Sequence, residues 1–327
     1  MIPFETVTLG RTDVPVTRLG LGCAPLGGLY RAVGDEMAAA TLARAWEHGI
    51  RFFDTAPLYG LGRSENRTGA ALAGRDRDAY TLATKVGRRL VPRDEAQRGD
   101  GMWAELTADE PVFDFSAEGV RRSYDESLGR LGLECVDILH LHDPDDHFAE
   151  AMAGARRELR QLRAEGRVRA VSAGMNQSAM LTDFARTGDF DCFLLAGRYT
   201  LLDQSGLADL LPECGRRGIS VIAGGVYNSG VLADPRPGAT YGYAPANDSI
   251  LAKVRAIQDV CERHGVPLRA AAMQFPFGHP AVASVLIGMR SPAEVDDAVA
   301  MASVEIPAQL WRDLKSAWLL PEEVPTP

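Results

Sequence analysis

The chain has no basic excess with which to hold a polyanion: 35 Lys and Arg stand against 44 Asp and Glu in 327 residues, a formal charge of −9. That balance excludes nonspecific binding to nucleic acid or to anionic membrane surfaces as the function. No stretch approaches the roughly 20 uncharged apolar residues that span a bilayer. The start, MIPFETVTLGRTDVP, lacks the basic, apolar and small-residue order of a secretion signal, so a cytoplasmic location is expected. The cysteines Cys23, Cys135, Cys192, Cys214 and Cys261 are odd in number and scattered, without a Cys-x-x-Cys pair. Neither a disulfide framework nor a zinc site is indicated, and these residues read as small core side chains. No His, Cys and carboxylate cluster has metal-ligand spacing, so no metal is expected. A Rossmann loop is missing too: after Gly20-Leu21-Gly22 its third glycine would fall where Pro25 stands.

What is present is an alternation of short apolar runs with amphipathic stretches, the pattern of βα units around a parallel sheet. Strands buried on both faces are continuously apolar. Eight such runs occur, at Arg18–Cys23, Ile50–Asp54, Ala79–Thr84, Val136–Leu141, Val168–Ala173, Cys192–Leu195, Ile219–Ile222 and Val282–Ile287. Helical patterns lie between and after them, at about 35–48, 64–74, 116–132, 147–165, 176–187, 203–217, 250–277 and 291–302, several ending at glycines suited to helix C-caps. Eight units in one chain of this length fit a closed (β/α)8 TIM barrel, for which about 250 residues suffice, with a doubly wound sheet as the alternative. The whole chain, 1–327, reads as one domain. Thr6–Leu9 and Val14–Val16 form an extra hairpin able to plug the barrel bottom, and two long connections, 87–115 and 224–249, follow strand C-terminal ends, where loops of that length form lids or binding loops.

Three of the runs end in polar groups. Asp54 closes the second strand, with Tyr59 five residues on in a turn rich in Pro and Gly; Lys85 follows the third strand, and His142 the fourth. Singly, each has an ordinary explanation as a turn former, a packing residue, a solvated cation or a helix cap. Together they form a device. A lysine ammonium held by Asp54 beside the Tyr59 hydroxyl would lower the phenol below its usual value of about 10 and let it exchange a proton near neutrality. A neutral His142 imidazole would orient and polarise the substrate oxygen.

With Gly49-Ile50-Arg51-Phe52-Phe53-Asp54-Thr55-Ala56-Pro57-Leu58-Tyr59-Gly60, the sequence resembles the aldo-keto reductase family, and the likeness extends over essentially the whole chain. The resemblance implies a barrel that binds NAD(P) across its C-terminal face and transfers hydride directly, with Asp54, Tyr59, Lys85 and His142 as the catalytic tetrad and Tyr59 as general acid or base. For the cofactor it implies Gly174 and Asn176 near the carboxamide, where the family's usual Ser-Asn is Gly174-Met175. Tyr227 with neighbouring Asn228 substitutes for a stacking aromatic replaced here by Gly224. The adenosine end falls at Gly288, Arg290 and Glu294. An acid at 294 would repel a 2′-phosphate and accept from a ribose hydroxyl, so NAD is expected in preference to NADP, with Arg290 leaving some NADP activity open.

Within the family, Pro111–Ser116, Asp143-Pro144-Asp145 and Leu194–Leu202 resemble the branch containing bacterial L-fucose, L-galactose and D-threo-aldose 1-dehydrogenases and a pyridoxal 4-dehydrogenase. The implied reaction is oxidation of a sugar hemiacetal at C1 to the lactone, with pyridoxal oxidation or generic aldehyde and ketone reduction as alternatives. A sugar would be held by Arg88, Arg89, Asp114 or Arg198, and a pyridine ring by Trp103 with Phe113 or Phe115. A non-catalytic nucleotide-binding subunit is disfavoured by the intact tetrad. Oligomeric state is not legible, and the tail from Pro307 to Pro327 could close over the substrate or pack against a second subunit.

Overall fold

In the computed structural model, which describes residues 2–92, 102–105 and 108–327, the eight apolar runs become eight parallel strands. These are β1 (Leu19–Gly22), β2 (Phe52–Asp54), β3 (Thr81–Val86), β4 (Ile138–His142), β5 (Ala170–Met175), β6 (Cys192–Ala196), β7 (Ser220–Gly224) and β8 (Val282–Gly288). Each pairs with the next in the chain, and β8 pairs with β1, so the sheet closes into a barrel. Closure removes sheet edges and buries both strand faces, which is why the runs are apolar throughout.

Two cores result. Outward strand residues such as Phe53, Leu139 and Phe193 pack beneath the helices, while Phe52, Ala83, Ile138, Ala170, Cys192 and Ile222 fill the barrel interior. The hairpin of Thr6–Thr8 with Pro15–Thr17 adds Leu9, Val14 and Val16 to that interior cluster, all but inaccessible to solvent, and so plugs the barrel as its sequence suggests.

The helices depart from the expected pattern in three places. The stretch expected at 250–277 is two helices, Asp248–Arg263 and Leu268–Gln274. Gly265 at φ 66° and Pro267 separate them, since a left-handed turn and a residue without an amide hydrogen stop the first and begin the second. The helix at 147–165 winds as a π-helix over Ala151–Ala155 before Arg156–Ala164. A further helix, Ala308–Ser316, leads into the tail.

The long connections are not structureless. The first folds as an antiparallel ribbon of Arg88–Pro92 with Asp109–Phe113, the second carries a short ribbon of Thr240–Tyr241 with Ala244–Pro245, and residues 93–101, 106 and 107 lie outside the described residues. The tail neither closes over the cleft nor hangs free: Leu320 and Val324 are buried, and the Tyr199 hydroxyl donates to the Pro325 carbonyl at 3.4 Å. Among the described residues, no helix is long and apolar enough to cross a membrane and no group of side chains could hold a metal ion.

Candidate active site

The C-terminal ends of β2, β3 and β4 bring three of the four expected residues together. Lys85 and Asp54 are both about 2% exposed, and the lysine Nζ lies 2.6 and 2.5 Å from the two carboxylate oxygens and 3.1 Å from the Thr55 carbonyl. Desolvating this pair is costly, and the bidentate contact is what repays it. Tyr59 joins them from the turn after β2, where Gly60 at φ 64° lies face to face with Gly27. A Cβ on Gly60 would fall 2.2 Å from the Gly27 carbonyl oxygen, and one on Gly27 would fall 2.5 Å from the Tyr59 carbonyl carbon. Two glycines are therefore required to seat the tyrosine turn against the loop after β1. The Lys85 Nζ then lies 5.0 Å from the centre of the Tyr59 ring, the buried His142 ring meets Tyr59 edge-on at 5.8 Å, and Trp103 closes a third side at 6.1 Å.

Electrostatics assign the protons. Burial raises the Asp54 carboxyl, but Lys85 and His140 outweigh it and hold the group below its ordinary value, so it is ionised. Burial, reinforced by the cations Arg88 and Lys85, pushes His142 well below 6.5, which leaves the neutral imidazole expected from the sequence. Tyr59 corrects an expectation. Its phenol is raised well above 10 rather than lowered, by burial first and then by the Asp54 and Asp143 carboxylates. Asp143, in the left-handed region at φ 45°, is itself raised by burial although Arg88 Nη2 lies 2.7 Å from its carboxylate.

Sequence reading missed His140, which lies on the same inward face as His142 because strand side chains alternate. The ring is fully buried, with Nδ1 2.7 Å from the Ser172 Oγ and Nε2 3.4 Å from Asp54 Oδ1. The His-x-His spacing at a strand end was the available signal.

Beside this pocket a cleft of about 650 Å³ is lined by Asn176, Arg198, Tyr227, Asn228, Gly288, Arg290 and Glu294, and also by Tyr30, Tyr243, Arg269 and Asp297, which the sequence did not single out. Asn176 and Gln177 also line a smaller opening of about 370 Å³ with Arg88, Phe113, Asp143 and His147, so the two spaces meet there. Glycines on its border open backbone to close approach, and Asn176, Asn228 and Arg290 offer donors, a lining that could hold a nicotinamide dinucleotide. Gly288 is needed where it stands, since a Cβ would lie 2.8 Å from Pro25 Cγ. Asn176 donates to the Ala196 carbonyl at 2.7 Å, and Asn228 ties the loop at Gly197 to Thr200.

Several placements differ from expectation. Gly174 is buried in β5 against Leu194 and does not border the cleft. The partly buried Tyr227 lies in the field of Arg269 and Asp297, whereas Tyr243 is the cleft aromatic whose hydroxyl is felt at Tyr59. Phe115 is fully buried against Gly87 and backs the half-exposed Phe113 and His147, so it supports the substrate side without facing it. Arg198 borders the large cleft and is paired with Asp203 at 2.9 Å. Arg89 is held by Glu126, and Asp114 caps the turn at Ser116, which leaves Arg88 as the arginine at the smaller opening.

A family model, the aldo/keto reductase family, matches residues 18–319. The chain belongs to the aldo/keto reductase family. It is therefore an NAD(P)-dependent oxidoreductase acting on small molecules. Among characterised relatives it is 41% identical to the pyridoxal 4-dehydrogenase of Microbacterium luteolum over 97% of this chain and 98% of that one. It is likewise 41% identical to the D-threo-aldose 1-dehydrogenase of a Pseudomonas species, over 94% and 95%. The L-galactose dehydrogenase of Arabidopsis thaliana is 32% identical over 92% and 88%. In fold it matches two solved aldo-keto reductases: the glycerol dehydrogenase of Gluconobacter oxydans (TM-score 0.74, 23% identity, 99% and 97% covered) and a Bacillus halodurans reductase in its holo form (TM-score 0.75, 24% identity, 96% of each).

Proposed function

We propose that this aldo/keto reductase oxidises a cyclic hemiacetal at the carbon bearing the free hydroxyl, giving the lactone, with NAD preferred over NADP. The observation that carries the reading is the buried reacting group: an ion-paired Lys85 beneath the Tyr59 ring and a neutral His142 edge-on to it, at a mouth walled by Trp103. When bound, the oxidised nicotinamide supplies the hydride acceptor and a positive charge. The residues of the chain supply the rest. His142 donates to or accepts from the substrate oxygen without carrying charge, Tyr59 as phenolate receives the hydroxyl proton as the C–H bond gives up its hydride and the carbonyl forms, and the Asp54–Lys85 pair fixes the tyrosine. In the reverse direction the phenol is the donor. Because Tyr59 holds its proton well above pH 10 in this setting, oxidation rises with pH through the neutral range while reduction does not.

A sugar hemiacetal is the first reading, since two of the relatives are named for aldose or galactose oxidation and the Arg88–Asp143 pair offers both donors and acceptors at the smaller opening. Pyridoxal, whose internal hemiacetal also oxidises to a lactone, is the second, favoured by aromatic surface at the mouth from Tyr30, Trp103, Phe113 and Tyr243. The NAD preference rests on charge. Each arginine bordering the cleft is already paired, Arg198 with Asp203, Arg269 with Asp297 at 2.5 Å and Arg290 with Glu294 at 3.3 Å, so a 2′-phosphate would have to compete with a carboxylate at every cation there. Glu294 also accepts from the Arg290 backbone N–H at 2.9 Å, which fixes its carboxylate at the start of the helix Pro292–Ser303.

Purified protein with NAD⁺ and L-fucose, L-galactose, D-arabinose or pyridoxal, followed by absorbance of the reduced cofactor, tests the reading. Turnover of a sugar supports the first reading and turnover of pyridoxal alone the second. Silence on all four, with ketone reduction by NADPH, replaces both with a generic carbonyl reductase.

A further inference from the structure

The inward face of the barrel carries an ionisable side chain beside the tetrad that the tetrad does not include, His140. Strand register places Lys85 of β3 opposite His140 of β4, and His140 opposite Ser172 of β5, so the three side chains form one rung beneath the reacting pocket. Neither His140 nor Ser172 has accessible surface. Asp54 reaches the same rung from β2: its Oδ1 takes Lys85 Nζ at 2.6 Å and faces His140 Nε2 at 3.4 Å. Cys192 of β6 is opposite Ser172 and closes the row with a neutral thiol, held up to about 12 by burial.

Chemistry selects one tautomer. If Nδ1 carried the proton, Nε2 would present a bare lone pair to an ionised carboxylate in a dry interior, which is repulsive; the buried Nε2 makes no hydrogen bond, so its 3.4 Å approach to Asp54 Oδ1 acts electrostatically. If the Ser172 hydroxyl instead donates to Nδ1, the ring proton sits on Nε2 and points at Asp54. Burial lowers His140 below 6.5, so the ring makes this contact as a neutral donor.

We propose that His140, locked as its Nε2–H tautomer by Ser172, is a positioning residue that fixes the Asp54 carboxylate on Lys85 and offsets its charge as felt at Tyr59. The ring touches neither Tyr59 nor the cleft, and its action passes through Asp54. The charged and titratable groups around this assembly are Asp54 and Lys85 on the adjoining strands, His142 on β4 itself and Cys192 beyond Ser172, with Asp143, Tyr243 and Cys23 acting on Tyr59 itself. Without the His140 donor the carboxylate is less neutralised, and the phenol becomes harder to ionise.

The proposal builds on Tyr59 as the proton acceptor in oxidation, and two measurements keep the two ideas apart. The first is ¹⁵N NMR of the histidine rings in the protein without added substrate. His140 is expected as a neutral Nε2–H ring between pH 6 and 8, and Ser172→Ala is expected to admit a fraction of the Nδ1–H tautomer, with Asp54 still favouring Nε2–H; an Nδ1–H ring in the unaltered protein overturns the proposal whatever the substrate is. The second is the pH profile of oxidation. In His140→Leu the rise of kcat/KM with pH moves up by about half to one unit, which lowers the rate at a given pH by about 3- to 10-fold with little change in KM, and His140→Gln, which keeps a donor, restores most of it. A His140→Leu profile that overlays the unaltered one overturns the proposal. Should His140→Leu fail to fold, Ser172→Ala takes its place with a smaller shift of the same sign. Loss of activity in Tyr59→Phe with an unshifted His140→Leu profile leaves the function standing and removes only the role of His140.

Discussion

At the barrel mouth Asp54, Lys85 and His142 stand on strands locked in register, Lys85 opposite His140 and His142 opposite Gly174, with Tyr59 on the turn after β2, and the ions among them are buried. In the cleft alongside, the polar groups stand on loops and helix starts, are partly exposed, and are tied to one another in pairs such as Arg290–Glu294 and Arg269–Asp297. The difference teaches how a barrel divides its labour. Strand ends hold atoms to a few tenths of an ångström because the hydrogen-bonded ladder fixes them, which suits proton and hydride transfer. Loops tolerate exchange of side chains, so one reaction can be kept while the ligands are changed.

Breaking the mouth is expected to have the largest effect. Tyr59→Phe removes the proton acceptor and lowers kcat by at least about 100-fold, while titration of the reduced cofactor by fluorescence shows binding close to that of the unaltered protein. Retained turnover would take Tyr59 out of the mechanism. Next comes stability. Lys85→Met leaves the Asp54 charge buried without its partner and costs about 3–5 kcal/mol in urea unfolding, whereas Asp54→Asn combined with Lys85→Met costs less because no charge is stranded. If both variants unfold at the same urea concentration, the ion pair does not dominate the packing of the mouth.

The cleft responds more mildly. Glu294→Gln breaks a half-exposed pair and changes stability by less than about 1 kcal/mol, yet it frees Arg290 to meet a 2′-phosphate. The ratio of kcat/KM for NADP⁺ to that for NAD⁺ is expected to rise by up to about fivefold, the equivalent of 1 kcal/mol. An unchanged ratio would move the discrimination away from this helix start.

All eight strands were legible in the sequence because double-sided burial writes a continuous apolar run, and the candidate reacting residues stood out only together, because Asp54, Lys85 and His142 end or follow three such runs and Tyr59 lies in the turn after one of them. The cleft was legible only in part. Glu294 and Arg290 were reached through the family resemblance of the last strand and the helix after it, but Tyr243, Arg269 and Asp297 come from segments whose hydropathy carries no period pointing at a common space. Phe115 shows the opposite error, an aromatic in a binding loop that turns inward because Gly87 leaves room for its ring.

By itself, then, the order of apolar and polar residues determined a closed barrel and its N-terminal plug and pointed to Asp54, Tyr59, Lys85 and His142 as the candidate reacting side chains, since periodicity and strand-end position are local properties of the chain. Only the tertiary structure decided which proton sits where. The sign of the shift at Tyr59 is set first by its burial and then by the Asp54 and Asp143 carboxylates, and the part played by His140 depends on a register that joins Lys85, His140 and Ser172 from three separate strands. Charge acts through space over distances that sequence separation does not measure, and in a dry barrel interior little solvent is present to screen it.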